Sequence, residues 1–260
     1  AGTFRVIATQ QGGSLADTSL VTLTVSSPPG SHPNEPAGYS LVSDRAFNAV
    51  SEDGWGNSGG GNIGIVGDGT APMSPSNIMR VTYPAGYAAG DAPWHGAKTI
   101  SGSRTELYYH WTIRHSANFQ GNGSGTNKIG YVWIHGNPAV FFSAEGSGSG
   151  PLKAQFRLQN TSDGRGQFPP NQGVSGEIVR GVWNEIEVQI VANTPGVRNG
   201  VARWWLNGVK VGEYTDILFA AAGQSNSWQE ISIYPIWGGV TGTVSSTMTL
   251  DFDNIYVSGR

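Results

Sequence analysis

The chain has 260 residues, including 39 glycines and nine tryptophans, and only 13% of its residues are charged, which favours a loop-rich β protein over long helices. Its formal net charge of −3 argues against a dedicated nucleic-acid-binding protein, because neutralising phosphates requires an excess of basic residues. The absence of cysteine excludes disulfides, a thiolate nucleophile and cysteine-ligated zinc, and no apolar run approaches the roughly 20 residues that span a bilayer.

Residues 1–25 are predicted to form two strands around a turn, over residues 4–9 and 20–25. The pattern "GTFRVIAT" followed by a closing strand resembles the last two strands of a bacterial immunoglobulin-like domain. Because two strands are rarely stable alone, we expect this hairpin to pack on the following domain or to pair with a neighbouring domain or chain. The proline-rich segment 26–36 is typical of a stiff linker. The main domain is therefore expected to be residues 37–260.

Short strand patterns separated by glycine-rich turns repeat from residue 78 to residue 257. Such a series is typical of an all-β, antiparallel two-sheet sandwich or jelly roll. Side chains alternate across a strand, so segments with strict alternation predict which residues form the core. The side chains expected to be buried are Leu107, Tyr109, Trp111, Ile113, Phe156, Leu158, Ile186, Val188 and Ile190.

The opposite faces of two of these strands carry long hydrogen-bonding side chains. The outward residues are Tyr108, His110, Thr112 and Arg114 in one strand, and Gln155, Arg157 and Gln159 in the other. If the two strands adjoin, these side chains form one polar floor that is suited to a sugar; otherwise they are an ordinary solvated surface.

A third strand presents two carboxylates on its outward face. Glu185 and Glu187 are two residues apart, which places them roughly 7 Å from each other. This separation lies between those used by retaining and inverting glycosidases, so a jelly-roll glycoside hydrolase is an alternative.

Three longer segments resemble known carbohydrate-active proteins. The segment "ELYYHWTIRHSANFQGNGSGTNKIG" (106–130) resembles the strand, loop and lysine of jelly-roll polysaccharide lyases, particularly the alginate and glucuronan lyase families. The hairpin "GVWNEIEVQIVANTPGVRNGVARWWLNGVKV" (181–211) resembles a later hairpin of those enzymes. The segment "TLDFDNIYVSG" resembles the closing strand of concanavalin A-like lectin and glucanase folds. The resemblance implies a concanavalin A-like jelly roll.

The same resemblance implies site residues for removal of the C5 proton of a uronate. It places Lys128 at the loop lysine of the lyases, and Gln155 and Arg157 on the strand that carries a polar residue and an arginine two apart. These three side chains are candidates for neutralising the uronate carboxylate. The candidates for general base and acid are His110, Tyr108 and Tyr131. The sequence departs from the alginate lyases because residues 160–173 contain no tyrosine.

Two further site predictions concern a metal and an aromatic platform. Resemblance to jelly rolls that hold calcium suggests a structural ion at Asp251 and Asp253, with Asp53 or Asp68 as further oxygen ligands. Trp237, in "YPIWGG", is the expected stacking platform for a sugar ring, because the double glycine leaves its ring approachable.

Two classes of function remain open from the sequence. One is a secreted lyase, extracellular or on a bacterial cell surface, that cleaves an acidic polysaccharide by β-elimination. The other is a non-catalytic glycan-binding or adhesive module of a larger surface protein.

Overall fold

The computed structural model describes residues 32–57, 61–74, 76–134, 138–239 and 241–260. The expected immunoglobulin-like hairpin at residues 1–25 lies outside these ranges, as does the first part of the predicted linker. All regular secondary structure in the described ranges is β-strand. No helix in these ranges is long and apolar enough to cross a membrane. The strands are β1 (Ser40–Arg45), β2 (Gly56–Asn57), β3 (Ile63–Asp68), β4 (Ser76–Tyr83), β5 (Gly96–Thr99), β6 (Glu106–His115), β7 (Lys128–Ile134), β8 (Ala139–Glu145), β9 (Leu152–Gln159), β10 (Gln167–Phe168), β11 (Glu177–Ile178), β12 (Asn184–Val191), β13 (Gly200–Leu206), β14 (Val209–Ile217), β15 (Trp228–Ile233) and β16 (Met248–Gly259).

These strands form two antiparallel sheets, which confirms the predicted all-β jelly-roll sandwich. Sheet A has the order β14-β13-β12-β6-β16-β4-β3, with β1 also paired to β16. A bulge between Phe252 and Asn254 divides β16, so that β4 pairs with its first part and β1 with its second. Sheet B has the order β10-β9-β8-β7-β15-β5-β2, with β11 also paired to β9.

The core lies between the two sheets and is rich in aromatic side chains. Trp111 of sheet A meets Phe142 of sheet B edge to face, with ring centres 6.3 Å apart. Trp204 of sheet A stacks on Phe156 of sheet B at 6.1 Å. Each such pair contributes about 0.5–1.5 kcal/mol beyond the burial of its area. All nine side chains that strand alternation places in the core are buried there.

The residues that precede β1 lie against the outer face of sheet A instead of forming a free spacer. The imidazole of His32 stacks on Tyr256 at 3.7 Å, and its Nδ1 lies 3.0 Å from Nδ1 of His110. Asn34 donates to Glu187 from its side chain at 3.0 Å and from its backbone at 3.2 Å. The described end of the predicted linker therefore covers part of sheet A.

The two polar strand faces described above do not adjoin. Strand β6 lies in sheet A between β12 and β16, whereas β9 lies in sheet B beside β8. Their outward side chains are therefore on opposite outer surfaces of the sandwich, and the expectation of one shared polar floor is wrong. Alternation fixes which face a residue occupies but not which strands become neighbours.

Candidate active-site cleft

The outer face of sheet B carries an open cleft that contains Lys128. Its volume is about 340 Å³, within the usual range for a small ligand site. The residues that line it are Ser124, Thr126, Lys128, Phe141, Arg157, Leu158, Gln159, Gly238 and Gly239. Three neighbouring strands, β7, β8 and β9, thus supply its floor.

The glycine-rich loop before β7 is held in place by backbone and amide hydrogen bonds. Asn127 accepts from the backbone N–H of Asn122 at 2.9 Å and donates to the carbonyls of Ala144 and Gly146 at 2.8 and 2.9 Å. Gly238 approaches this loop so closely, at a φ of +75°, that a Cβ there would overlap the side chain of Asn122. The backbone N–H of Lys128 then donates to Ile236 at 2.9 Å. These contacts fix the point at which the lysine enters the sheet.

A bulge at the start of β7 brings Lys128 and Tyr131 to the same face. Lys128 pairs with Ser143 and Gly130 with Phe142, so Ile129 is an extra residue in the ladder. Residues three apart then point the same way, which regular alternation forbids. A Cβ at Gly130 would overlap the ring of Trp111, so only glycine fits at this position beside the bulge.

Lys128, Tyr131 and Gln159 form a hydrogen-bonded group at the cleft. The ammonium of Lys128 donates to the hydroxyl of Tyr131 at 2.7 Å and lies 3.4 Å from Oε1 of Gln159. The Tyr131 hydroxyl donates to the same Gln159 oxygen at 3.3 Å.

The protonation of this pair is shifted in opposite directions. Burial lowers the pKa of Lys128, and the nearby Arg157 lowers it further, while Glu145 acts the other way. Burial raises the pKa of Tyr131, with a smaller contribution from Tyr234. The amine is therefore more easily neutral, and the phenol more firmly protonated, than either would be in water.

A second cation, Arg157, lies near the same Phe141 ring as Lys128. The distances to that ring centre are 5.6 Å for the guanidinium carbon and 4.9 Å for the ammonium nitrogen. Arg157 also forms an ion pair with Glu145 at 2.9 Å and donates to Thr126 at 2.9 Å. Part of its charge is therefore balanced within the protein.

Aromatic side chains extend the cleft along sheet B. Tyr131 and Trp133 are parallel, with ring centres 5.2 Å apart and an angle of 9° between their planes. Tyr234 lies 5.7 Å from Tyr131 and stacks on His95 at 4.3 Å. Burial lowers the pKa of His95, which favours the neutral imidazole.

Several predicted site residues lie on sheet A, away from this cleft. His110 is buried beneath His32, and the hydroxyl of Tyr108 donates to Glu187 at 2.6 Å. Arg114 pairs with Asp68 at 2.5 Å and with Asp251 at 2.8 Å. Of the proposed acids and bases, only Tyr131 lies beside Lys128. Gln155 faces outward on sheet B, is 7% exposed and lies 3.4 Å from Gln167.

The glutamate pair of the glycosidase alternative also lies on sheet A. Glu187 is 2% exposed and accepts hydrogen bonds from Tyr108 and Asn34. Glu185 is partly buried, and its pKa is raised by burial and by Glu187. Because Glu187 is covered by the segment that contains Asn34, the geometry gives no open site between the two carboxylates.

The aspartates predicted to bind calcium have other partners. Asp251 receives a two-point contact from Arg80 at 2.7 and 2.9 Å and a further hydrogen bond from Arg114 at 2.8 Å. Asp253 accepts from the backbone of Met73 and from Ser74. Two guanidinium groups beside Asp251 disfavour a divalent cation, and no cluster of three metal-binding side chains occurs within the described ranges. These residues do not fit a calcium site.

Trp237 is also not the exposed platform that its flanking glycines suggest. Its ring is 5% exposed and belongs to the core between the sheets, and its Nε1 donates to the carbonyl of Gln120 at 2.7 Å. This tryptophan anchors the loop that leads to Lys128.

Sequence reasoning missed four side chains of this face: Ser143, Glu145, Trp133 and Tyr234. Ser143 and Glu145 alternate with buried residues in "AVFFSAE", so strand parity alone could have identified them. Trp133 shares the strand parity of Tyr131, whereas Tyr234 carries no comparable signal because it follows the end of β15.

No protein-family model matches the sequence, and a comparison with curated proteins gives no match. Solved structures match in fold. A variant of alginate lyase Aly36B in complex with alginate trisaccharide has a TM-score of 0.62 at 17% identity, covering 85% of this chain and 100% of that one. Alginate lyase vAL-1 from Chlorella virus has a TM-score of 0.60 at 12% identity, with the same coverage of both chains.

A protein described as an esterase also matches in fold. The conserved carbohydrate esterase vb_24B_21 from Shiga toxin-encoding bacteriophage phi24B has a TM-score of 0.53 at 12% identity, covering 86% of this chain and 100% of that one. The likeness establishes that this chain has the jelly-roll fold of alginate lyases. Since a carbohydrate esterase has a similar fold, the fold alone does not define the reaction.

Proposed function

We propose that the protein is a secreted polysaccharide lyase that cleaves a uronate-containing glycan by β-elimination in the Lys128 cleft. The observation that carries the proposal is the 2.7 Å hydrogen bond between Lys128 and Tyr131, whose pKa values are shifted in opposite directions. Such a pair provides a base with an accessible neutral form beside an acid that stays protonated. The fold shared with alginate lyases is consistent with this chemistry.

The pair can complete a balanced elimination. The neutral amine of Lys128 takes the C5 proton of the uronate, and the electron pair of that C–H bond forms the C4–C5 double bond. The bond from C4 to the glycosidic oxygen breaks, and Tyr131 donates its proton to the departing oxygen. The Lys128 ammonium then returns a proton to the tyrosinate through their hydrogen bond, which restores both groups.

The C5 proton becomes acidic enough only if the adjacent carboxylate is neutralised. Arg157 lies on the same face as Lys128 and lines the same cleft. Gln159, which already contacts the Lys128–Tyr131 pair, can donate to the carboxylate through its amide nitrogen. We therefore assign Arg157 and Gln159 to carboxylate binding, with Gln155 farther along the same strand.

The test is a screen of alginate, glucuronan, pectate and glycosaminoglycans, read by the ultraviolet absorbance of unsaturated uronates. The parent protein should produce this signal on at least one polymer, and Tyr131→Phe should lose most of it. Lys128→Arg keeps the positive charge but has no accessible neutral form. It should retain binding and lose turnover, whereas Gln172→Ala, an exposed change away from the cleft, should alter neither. Absence of product from every polymer would overturn the lyase assignment.

A non-catalytic glycan-binding module is the second candidate, favoured by the ion pair between Arg157 and Glu145. This pair reduces the positive charge available to neutralise a uronate. Under this alternative, the parent protein binds one of the polymers without forming unsaturated product. Lys128→Arg would then behave like the parent in every assay.

A further inference from the structure

Sheet B carries a second, larger cleft at the other end of the Tyr131–Trp133 pair. Its volume is about 570 Å³, and its lining residues are Thr99, Ile100, Gly102, Ser103, Trp133, Ile134, Ser227, Gln229 and Glu230. The register places Glu230 opposite Trp133 on β7 and opposite Thr99 on β5. These three side chains therefore form a row across the outer face of the sheet.

Trp133 connects the two clefts. It lies two residues after Tyr131, which corresponds to about 7 Å along the strand, and its ring is parallel to that of Tyr131. Its Nε1 lies 3.4 Å from the hydroxyl of Ser232, the outward residue next to Glu230 on β15. A partly exposed indole held in this way offers an apolar face on which a sugar ring can stack.

Glu230 differs from Glu145 on the same face because no cation of the described residues forms an ion pair with it. Glu145 pairs with Arg157, but among the described residues Glu230 has no ion-pair or hydrogen-bond partner. Burial alone raises its pKa, with no contribution from a neighbouring charge. A half-buried carboxylate beside an aromatic ring can accept hydrogen bonds from sugar hydroxyls, but it repels a second carboxylate.

We propose that the cleft around Trp133 and Glu230 is a subsite for an uncharged sugar that excludes a uronate. This inference rests on the proposed function for the uronate at Lys128. One end of the aromatic pair has a cationic cleft, and the other has a carboxylate with no ion pair in the described part of the chain. The preferred glycan therefore combines uronate with uncharged residues. A polymer made only of uronates is disfavoured.

The experiment measures binding of four polymers to the parent and to Glu230→Gln at low salt. Alginate and polygalacturonate consist only of uronates, whereas hyaluronan and unsulfated chondroitin alternate a uronate with an N-acetylhexosamine. The parent should bind at least one alternating polymer more tightly than either uronate-only polymer. Glu230→Gln should strengthen binding of the uronate-only polymers on the order of tenfold and leave the alternating ones within about twofold. Glu177→Gln, an exposed change of the same charge outside both clefts, is the matched control.

The outcomes separate this inference from the proposed function. If Glu230→Gln changes the binding of both polymer types equally, or matches Glu177→Gln, the subsite is refuted even when the parent is an active lyase. If the parent binds these polymers selectively but forms no unsaturated product, the lyase assignment fails and the subsite is retained. If the parent binds none of the four polymers, the subsite is refuted, and the lyase assignment is then decided by the glucuronan arm of the cleavage screen.

Discussion

The two outer faces of the sandwich carry similar polar residues, but they differ in how the charged side chains described here are paired. On sheet A, Arg114 is bound by two aspartates, and Glu187 is covered by the segment that contains His32 and Asn34. On sheet B, Lys128 lies in an open cleft and Glu230 has no ion-pair partner among the described residues. A strand face rich in arginine, histidine and glutamate therefore indicates a binding surface only when its charges are not already paired with one another.

Removing a cation from each face gives the largest expected contrast. Lys128→Ala should lower the rate of uronate cleavage by about 10²-fold or more, because it removes the proposed base. Arg114→Ala should leave that rate unchanged and lower stability instead, because it leaves Asp68 and Asp251 short of a partner. Steady-state rates and denaturant melts of both variants provide the check. Equal rate losses in the two variants would refute the division between the faces.

Glu187 should behave as a structural carboxylate. Glu187→Ala removes the acceptor of Tyr108 and Asn34 in a buried setting, so we expect a loss of about 2–3 kcal/mol in the free energy of unfolding. Glu185→Ala, two residues away and more exposed, should cost less than about 0.5 kcal/mol. Urea denaturation measures both changes. If Glu187→Ala abolished glycan cleavage while the protein stayed folded, the result would instead support a glycosidase-like site on sheet A.

The histidine pair predicts loss of stability in acid. Burial and the nearby His32 lower the pKa of His110 to about 3, and burial lowers that of His32, although Glu35, Asp44 and Glu187 oppose this. Unfolded histidines titrate near 6.5, so below that pH the unfolded chain binds more protons than the folded one. Stability should therefore fall as the pH decreases from about 6.5 towards 3, by at most about 1.4 kcal/mol per pH unit for each histidine.

The variant that checks this pH dependence is His110→Asn, studied by urea melts between pH 7 and pH 5. Its stability should decrease less steeply with acid than that of the parent. The buried His115, whose pKa is also lowered to about 3, should keep part of the slope in both proteins. An identical slope in both would show that the pair between His32 and His110 does not control acid stability.

A smaller effect is expected from the ion pair that balances Arg157. Glu145→Gln should free the partly buried guanidinium and strengthen binding of a uronate polymer by at least about threefold, because even exposed ion pairs contribute up to ~1 kcal/mol. Arg157→Ala should weaken the same binding. Isothermal titration at low and high salt checks both variants. Weaker binding by Glu145→Gln would assign the carboxylate a direct role in holding the sugar.

The smallest expected effect is that of a chelator. Asp251 is paired with Arg80 and Arg114, and Asp253 accepts hydrogen bonds from the loop at Met73 and Ser74. The melting temperature should therefore not change when divalent ions are removed. Differential scanning fluorimetry with and without chelator measures this directly. A drop in melting temperature that Asp253→Ala abolishes would restore the calcium hypothesis.

The core was predictable from the sequence because strand alternation is a local property. Leu107, Phe156 and Val188 occupy the predicted face of their strands because each lies in a regular, unbulged stretch. The pairing of strands is not local, so nothing in the segments around Tyr108 and Arg157 shows that they belong to different sheets.

For the proposed site, the sequence indicated Lys128 and Tyr131 as separate candidates but not that their side chains meet. Lys128 is recognisable as a single cation after a glycine-rich loop, whereas its partner Tyr131 depends on the extra residue Ile129 in the ladder. Glu230 is an isolated glutamate in "WQEISI", and only the structure shows that it has no ion pair with a described residue.

The most direct test of the central claim is amide hydrogen exchange of the protein with and without a uronate oligosaccharide. Ligand bound on the outer face of sheet B should slow exchange in β7, β8 and the loop at residues 122–127, and should leave β6 and β12 unchanged. Protection confined to β6, β12 and the segment at residues 32–39 would place the ligand on sheet A and contradict the assignment of the Lys128 cleft.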